Sequence, residues 1–264
     1  MSTEGMGFVS TATNWLCDMD GVLINNGHMV AGADRFLDRL RSTNRPFLVL
    51  TNNSLFTPRE LCTKLSSLGV IVGEHQLWTS ALATAQFVQD QRPKGHAFII
   101  GETSLHEALN DIGYEESSES PDYVVLGETW KYSFEDITTA IRLIDAGSSF
   151  VATNPETTGT TAAGSLPGCG ALAALIESAT GVAPYFVGKP NPVMIRDALK
   201  ILNAHSNETV MIGDRMDTDI LAGTEAGIET ILVLSGVAQR EDIAHYAHQP
   251  SRVVESIADL LEEL

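Results

Sequence analysis

Cysteine, basic side chains and long apolar runs are all scarce in this chain of 264 residues. Cys17, Cys62 and Cys169 form an odd set without metal-type spacing, which argues against a cysteine-built metal site and suits buried or inert thiols in a reducing compartment. Only 16 Lys and Arg stand against 34 Asp and Glu, giving a formal net charge of −18. That field opposes a nucleic-acid polymer or an anionic membrane as partner, although local cations can still admit a small anion. No apolar stretch approaches the ~18 residues of a membrane span. Met1 to Asn14 lack the basic and apolar regions of a signal peptide, so a cytoplasmic location is expected. There is no repeat array and no low-complexity tract. The content of 44% hydrophobic and 19% charged residues fits a globular protein.

Four short apolar runs each stop on a polar group. Trp15-Leu16-Cys17 leads into Asp18-Met19-Asp20-Gly21, and Phe47-Leu48-Val49-Leu50 into Thr51-Asn52-Asn53. Tyr185-Phe186-Val187-Gly188 leads into Lys189-Pro190, and Val210-Met211-Ile212-Gly213 into Asp214. Buried parallel strands read as such runs, and open α/β sheets bind ligands outside the carboxyl ends of their strands. The pattern predicts one rim holding a carboxylate pair, a hydroxyl and amide, an ammonium and a further carboxylate.

The spaces between the runs read as helices. Phe36, Leu37 and Leu40 have helical spacing, and Arg45-Pro46 ends that segment. Thr57-Pro58-Arg59-Glu60 combines a capping box with proline at the first helical position, ahead of Leu61, Leu65 and Leu68, and Gly69 is a stop. Asn191-Pro192 opens a helix to Leu202, Asp217 to Ala226 forms another stopped by Gly227, and Thr230–Leu234 is a further strand.

The middle of the chain repeats the α/β rhythm without phosphate-type strand ends. Its expected strands are Ala97–Ile100, Tyr123–Leu126 and Phe150–Ala152, and its helices 105–112, 134–146 and 170–180, with Ser133 and Asp136 at a helix start. Glu115–Pro121 and the glycine-containing stretch 159–170 read as loops, and His245 and His248 as exposed helix residues. The division is therefore a doubly wound, Rossmann-like α/β core over 13–79 and 185–264, an inserted α/β cap over 80–184, and a loose tail over 1–12.

Asp18 and Asp20 are two apart, so at a strand end they can address one small site. A close carboxylate pair needs a cation or a shared proton, and separated proton affinities let one act as nucleophile and the other as acid. Thr51 and Asn52 offer hydroxyl, amide and backbone donors to phosphate oxygens, though both are also ordinary turn residues. Lys189 offers a point charge. Asp214 is placed to be a hard oxygen ligand, with Asp217 or Asp219 orienting its neighbours. Asp217 in a first helical turn also simply favours the helix dipole.

The order D-x-D-G, T-N, G-K-P and G-D-x4-D resembles the haloacid dehalogenase superfamily of phosphatases. The long insertion, with Val125-Leu126-Gly127-Glu128-Thr129, Ala152-Thr153-Asn154-Pro155 and Leu232-Val233-Leu234-Ser235-Gly236, is similar to the NagD-type branch, which has a large α/β cap and hydrolyses nucleotide and sugar phosphates. The resemblance implies that Asp18 is the nucleophile and Asp20 the general acid and base. It also implies magnesium held by Asp18, Asp214 and the Asp20 carbonyl, and phosphoryl oxygens held by Thr51, Asn52 and Lys189. Arg215 joins the implied substrate contacts, and Asp219 and Asp217 stand behind the metal ligands. Thr153-Asn154-Pro155 is expected to line the cap surface that selects substrate. The implied partner is a small phosphorylated metabolite, with pairing of two copies through the cap. A phosphotransferase or mutase on the same site, and a non-enzymatic phospho-receiver, are the alternatives.

Overall fold

The computed structural model describes residues 12–161 and 164–264. The tail expected over 1–12 lies outside them except for Ala12, which is buried. Two compact units are present. One takes the chain up to Val49, Leu65–Val72 and Ala198–Leu264, and the other takes Leu50–Lys64 and Gly73–Asp197.

The first unit is built on parallel strands in the order Arg252–Val254, Glu229–Val233, Thr209–Gly213 and Asn14–Asp18. Phe47–Val49, the start of the Phe47–Thr51 strand, lies beside Asn14–Asp18. Every residue of Asn14–Asp18 and Thr209–Gly213 is buried, which is why their central residues read as short apolar runs. The helix Ala33–Ser42 buries Phe36, Leu37 and Leu40, the residues its spacing predicts. Phe36 meets Trp15 edge to face at 5.5 Å.

After the Asn14–Asp18 strand, Ile24–Asn25 and His28–Met29 pair as a hairpin. Its two-residue turn is Asn26-Gly27, with φ of 49° and 77°, the positive values that suit a tight hairpin. The predicted helix from Asp217 is a π-helical turn, Met216–Ile220, running into a short α-helix, Leu221–Glu225, and stopped by Gly227 at φ 69°. His248 is not on a helix: its Nε2 lies 2.7 Å from the Met216 carbonyl, next to the short helix Arg240–His245 that carries His245.

The second unit has its own parallel sheet, in the order Tyr185–Phe186, Ser149–Ala152, Tyr123–Leu126, His96–Ile100 and Glu115–Glu116. The helices Phe134–Asp145 and Cys169–Thr180 cover it, burying Leu143, Ile144, Leu172 and Ile176 against Val124, Leu126 and Phe150. The expected helix starts are present. Ser133 Oγ accepts from the Asp136 N–H at 2.9 Å, and Thr57 and Glu60 form a reciprocal capping box at 2.8 and 3.2 Å.

Three expectations are corrected in this unit. Tyr185–Phe186 is the edge strand of this sheet and not a buried strand of the first one; Tyr185 is exposed, and the short apolar run Tyr185-Phe186-Val187 does not declare its sheet. Glu115–Glu116 is a strand where a loop was expected. The glycine-containing stretch is an antiparallel pair, Thr158–Thr161 with Gly164–Pro167. Helix Ser80–Gln91, capped by Thr79, has no periodic signal because small residues such as Ala81, Ala83, Thr84 and Ala85 are buried around much of its surface. Among the described residues no helix is long and apolar enough to cross a membrane.

Candidate active site

In the first unit the strand register does the assembling. Cys17 pairs with Ile212, so the residues that follow, Asp18 on one strand and Gly213-Asp214 on the other, emerge at the same ends of neighbouring parallel strands. The π-helical turn that follows brings in Asp219. Oxygens of Asp18, Asp214 and Asp219 lie within 4.8 Å of one another, and the three residues are 7%, 2% and 0% exposed. Buried carboxylates this close repel unless a cation joins them, and three hard oxygen donors suit a divalent ion such as magnesium.

Glycines make this grouping possible. A Cβ at Gly21, which has φ 79°, or at Gly236 would overlap the Asp214 carboxylate, and one at Gly213 would overlap Asp219. Asp214 Oδ2 accepts from the Val237 N–H at 2.7 Å, and Asp219 Oδ2 from the Arg215 N–H at 3.1 Å. Ser235 Oγ donates to the Gly21 carbonyl at 2.7 Å, and Asn25 Nδ2 to the Ser235 carbonyl at 2.7 Å. Ser235-Gly236 belong to a phrase that resembles the NagD-type branch, but nothing in the sequence marks the loop 235–237 as a brace for Asp214, because loop residues that support a site carry no periodic signature.

Asp20 differs from Asp18. It is exposed, in a turn bridged to Ile24, and its carboxylate is not one of the clustered three. Arg215 and the exposed Asp217 face each other two residues apart, Nε to Oδ1 at 3.1 Å and Nη2 to Oδ2 at 2.9 Å. Asp217 is thus engaged with Arg215 while Asp219 is turned inward. Burial pushes the Cys17 thiol far up, with the charge of neighbouring Asp18 adding to the shift, which matches an inert cysteine.

The second unit gathers Thr51, Asn52 and Lys189, which are 2%, 7% and 2% exposed. Thr51 Oγ1 accepts from the Asn53 N–H at 3.1 Å. Asn52 Nδ2 donates to the Lys189 carbonyl and to Glu156 Oε1, each at 3.0 Å. Lys189 Nζ lies 3.5 Å from the Leu50 carbonyl. Gly188 is required before it, since a Cβ there would come within 2.5 Å of the Thr153 carbonyl and 2.6 Å of Asn52 Oδ1. Asn191 then caps the helix Pro192–Leu202, its Oδ1 accepting from the Val193 N–H at 2.9 Å.

Thr153 and Asn154 do not line an open surface as expected. Both are wholly buried, and Asn154 Nδ2 donates to the Asn52 carbonyl at 2.9 Å. Ser54, Ser80 and Glu156, which carry no signal in the sequence, and Glu128, which enters there only within the phrase Val125-Leu126-Gly127-Glu128-Thr129, complete the surroundings of this segment. Ser54 donates to Glu128 Oε2 from its N–H at 3.0 Å, and Ser80 Oγ donates to the Asn52 carbonyl at 2.6 Å.

Residues 15–115 match the haloacid dehalogenase-like hydrolase family, and residues 186–260 match a second HAD-hydrolase-like family. The chain is 52% identical over 249 residues to a dihydroxyacetone phosphatase of Corynebacterium glutamicum, covering 94% of this chain and 90% of the relative. It is 42% identical to the ribonucleotide monophosphatase NagD of Escherichia coli K12, covering 95% and 98%. The solved structure of Escherichia coli K-12 NagD superposes with a TM-score of 0.90 at 41% identity, over 94% of this chain and 98% of that one. A 4-nitrophenylphosphatase from Thermotoga maritima gives 0.91 at 30% identity, over 96% and 97%. The chain belongs to the haloacid dehalogenase-like hydrolases, as a phosphomonoester-hydrolysing enzyme of the NagD type.

Proposed function

We propose that the enzyme is a magnesium-dependent phosphatase of nucleoside monophosphates and sugar phosphates that works through an aspartyl-phosphate. The buried group of Asp18, Asp214 and Asp219 carries this reading: it concentrates negative charge in a protein already at −18, and a hard divalent cation relieves it. Asp18, Asp214 and the Asp20 carbonyl would hold the ion, which supplies positive charge against the phosphoryl oxygens when bound. Asp219 steadies the loop that carries Asp214 through the Arg215 N–H.

The Asp18 carboxylate attacks phosphorus, forming the Asp18–phosphorus bond as the bond to the leaving oxygen breaks. Asp20 gives its proton to that oxygen. It then takes a proton from water as the water oxygen attacks phosphorus, releasing phosphate and restoring the Asp18 carboxylate. The contrast between buried Asp18 and exposed Asp20 supports this division, because the nucleophile is held in place among neighbouring groups while the acid and base must reach the leaving oxygen and then a water molecule. Lys189, Thr51 and the Asn52 segment hold the phosphoryl oxygens, and Arg215, 34% exposed, adds a further cation for the substrate. The relatives named for nucleotide, acid sugar and dihydroxyacetone phosphatases support a small substrate, and the 52% relative puts a three-carbon phosphate first in any panel. We further propose a cytoplasmic location, and a homodimer through the inserted segment, where Phe134 is 85% exposed; light scattering on the purified protein tests the latter.

The test of function is phosphate release from dihydroxyacetone phosphate, nucleoside 5′-monophosphates and hexose phosphates, with magnesium and with EDTA. Release from none of them overturns the reading, and release that survives chelation removes the metal. Phosphate arriving on an added alcohol in place of water identifies a phosphotransferase.

A further inference from the structure

The side-chain amide of Asn52 has two hydrogens, and both are engaged. One goes to the Lys189 carbonyl and one to Glu156 Oε1, each at 3.0 Å. A flipped amide would turn its oxygen toward two acceptors, so the network fixes the orientation. The amide oxygen lies toward Gly188, where a Cβ would come within 2.6 Å. No hydrogen of this side chain remains for a phosphoryl oxygen.

The backbone of Asn52 is held just as firmly. Its carbonyl accepts from Ser80 Oγ at 2.6 Å and from Asn154 Nδ2 at 2.9 Å, while Asn154 Oδ1 accepts from the Glu156 N–H at 3.0 Å. Glu156 is itself anchored, because the Gly170 N–H donates to its carbonyl at 2.8 Å and neither Gly168 nor Gly170 has room for a Cβ against Pro155 and Glu156. The segment Asn154–Glu156 thus holds Asn52 by main chain and side chain together.

We infer that Glu156 is a positioning residue for phosphate capture: its carboxylate fixes the Asn52 amide, and Asn52 fixes the peptide that carries Lys189. The inference rests on the proposed role of Lys189. A lysine stem has many rotamers, so anchoring its peptide reduces the freedom lost when the ammonium meets an anion.

The test uses full-length, magnesium-loaded enzyme with one small phosphomonoester, and inorganic phosphate as inhibitor. Glu156→Ala removes the acceptor, Glu156→Met removes it while keeping the length, and Glu156→Gln keeps a carbonyl oxygen. Both acceptor-free variants should lower kcat/KM and weaken phosphate inhibition about tenfold, the scale of one hydrogen bond to a charged group, while Glu156→Gln stays within about twofold. In an Asn52→Ala background the loss from Glu156→Ala should disappear. Wild-type kinetics in Glu156→Ala, equal losses in the Gln and Ala variants, or an undiminished loss in the Asn52→Ala background would each overturn the inference. Failure of both acceptor-free variants to fold, judged by thermal melting, would assign Glu156 to the fold and overturn it too. Lys189→Met is read separately. If it keeps wild-type phosphate inhibition, the role of Lys189 fails; if it loses inhibition while the Glu156 variants are silent, only the present inference fails.

Discussion

Asp18 and Asp214 stand at the same ends of two adjacent parallel strands, brought level by the pairing of Cys17 with Ile212. Their closeness depends on what is missing around them: a side chain at Gly21 or Gly236 would occupy the space of the Asp214 carboxylate.

Gly236→Ala should therefore act on the metal before it acts on the fold. The added methyl displaces Asp214 and disturbs the 2.7 Å bond from the Val237 N–H. Perturbing a group that orients a ligand typically costs about tenfold to a hundredfold in metal affinity, and Asp214→Asn should cost at least as much. Magnesium titration of activity measures this. An unchanged activation constant in Gly236→Ala would show that Asp214 is not a ligand.

The two acids of the first motif separate by kinetics. Asp18→Asn should abolish both turnover and the phosphoenzyme. Asp20→Asn should lose about two to four orders of magnitude on esters with poor leaving groups, the usual worth of general acid catalysis, and less on aryl phosphates, with phosphoenzyme accumulating when water is not activated. Rapid-quench labelling with a phosphate ester distinguishes the two. Wild-type rates in Asp20→Asn would remove it from the mechanism.

Much of this was legible because strand ends and helix starts have local signatures. Asp18, Thr51 and Asp214 each close an apolar run that is a buried strand, and Ser133, Thr57 and Asn191 announce their helices through capping geometry that depends on neighbours in sequence. Tyr185–Phe186 joins the sheet of the second unit, which its apolar run does not reveal, because such a run marks a strand without naming its neighbour. Glu156, Ser80 and Val237 were invisible for a related reason: each serves the site through a bond to a residue distant in the chain, such as the one from Ser80 Oγ to the Asn52 carbonyl. The Asn26-Gly27 turn did have a local signal, flanked by short strands, and it sits where the chain leaves the Asp20 turn.

The cysteines should report on unfolding. Burial pushes the Cys169 thiol up to about 11 and raises Cys17 further, whereas Cys62 is half-buried and only raised, by burial and then by Glu74. A thiol at about 11 is roughly one part in a thousand thiolate at pH 8, and burial hinders even that fraction. Alkylation of native enzyme at pH 8 should mark Cys62 slowly and leave Cys17 and Cys169 unmodified until denaturant is added. Mass spectrometry of peptides would settle it, and rapid native labelling of Cys169 would contradict the packed position given to its helix.

Glu102 supplies a pH dependence whose sign is fixed by its partners. The Thr129 hydroxyl donates to Oε1 at 2.6 Å and the Trp130 N–H at 3.0 Å, and these bonds hold the carboxyl below its ordinary value of 4.5 against a smaller opposing effect of burial. A carboxyl with a lower folded-state pKa contributes stability that is fully present above 4.5 and fades as pH falls through the folded-state value. Glu102→Gln should thus be less stable than wild type at neutral pH, by a margin that narrows as acid is added. The expected margin is modest because the side chain is half exposed to solvent, which screens its charge. Urea unfolding of both proteins at several pH values between neutrality and the acid limit of the fold measures it. A margin that stayed constant, or widened in acid, would mean that the Thr129 and Trp130 bonds favour the neutral carboxyl, and that the loop from Gly127 to Ser133 is held by something other than the Glu102 charge.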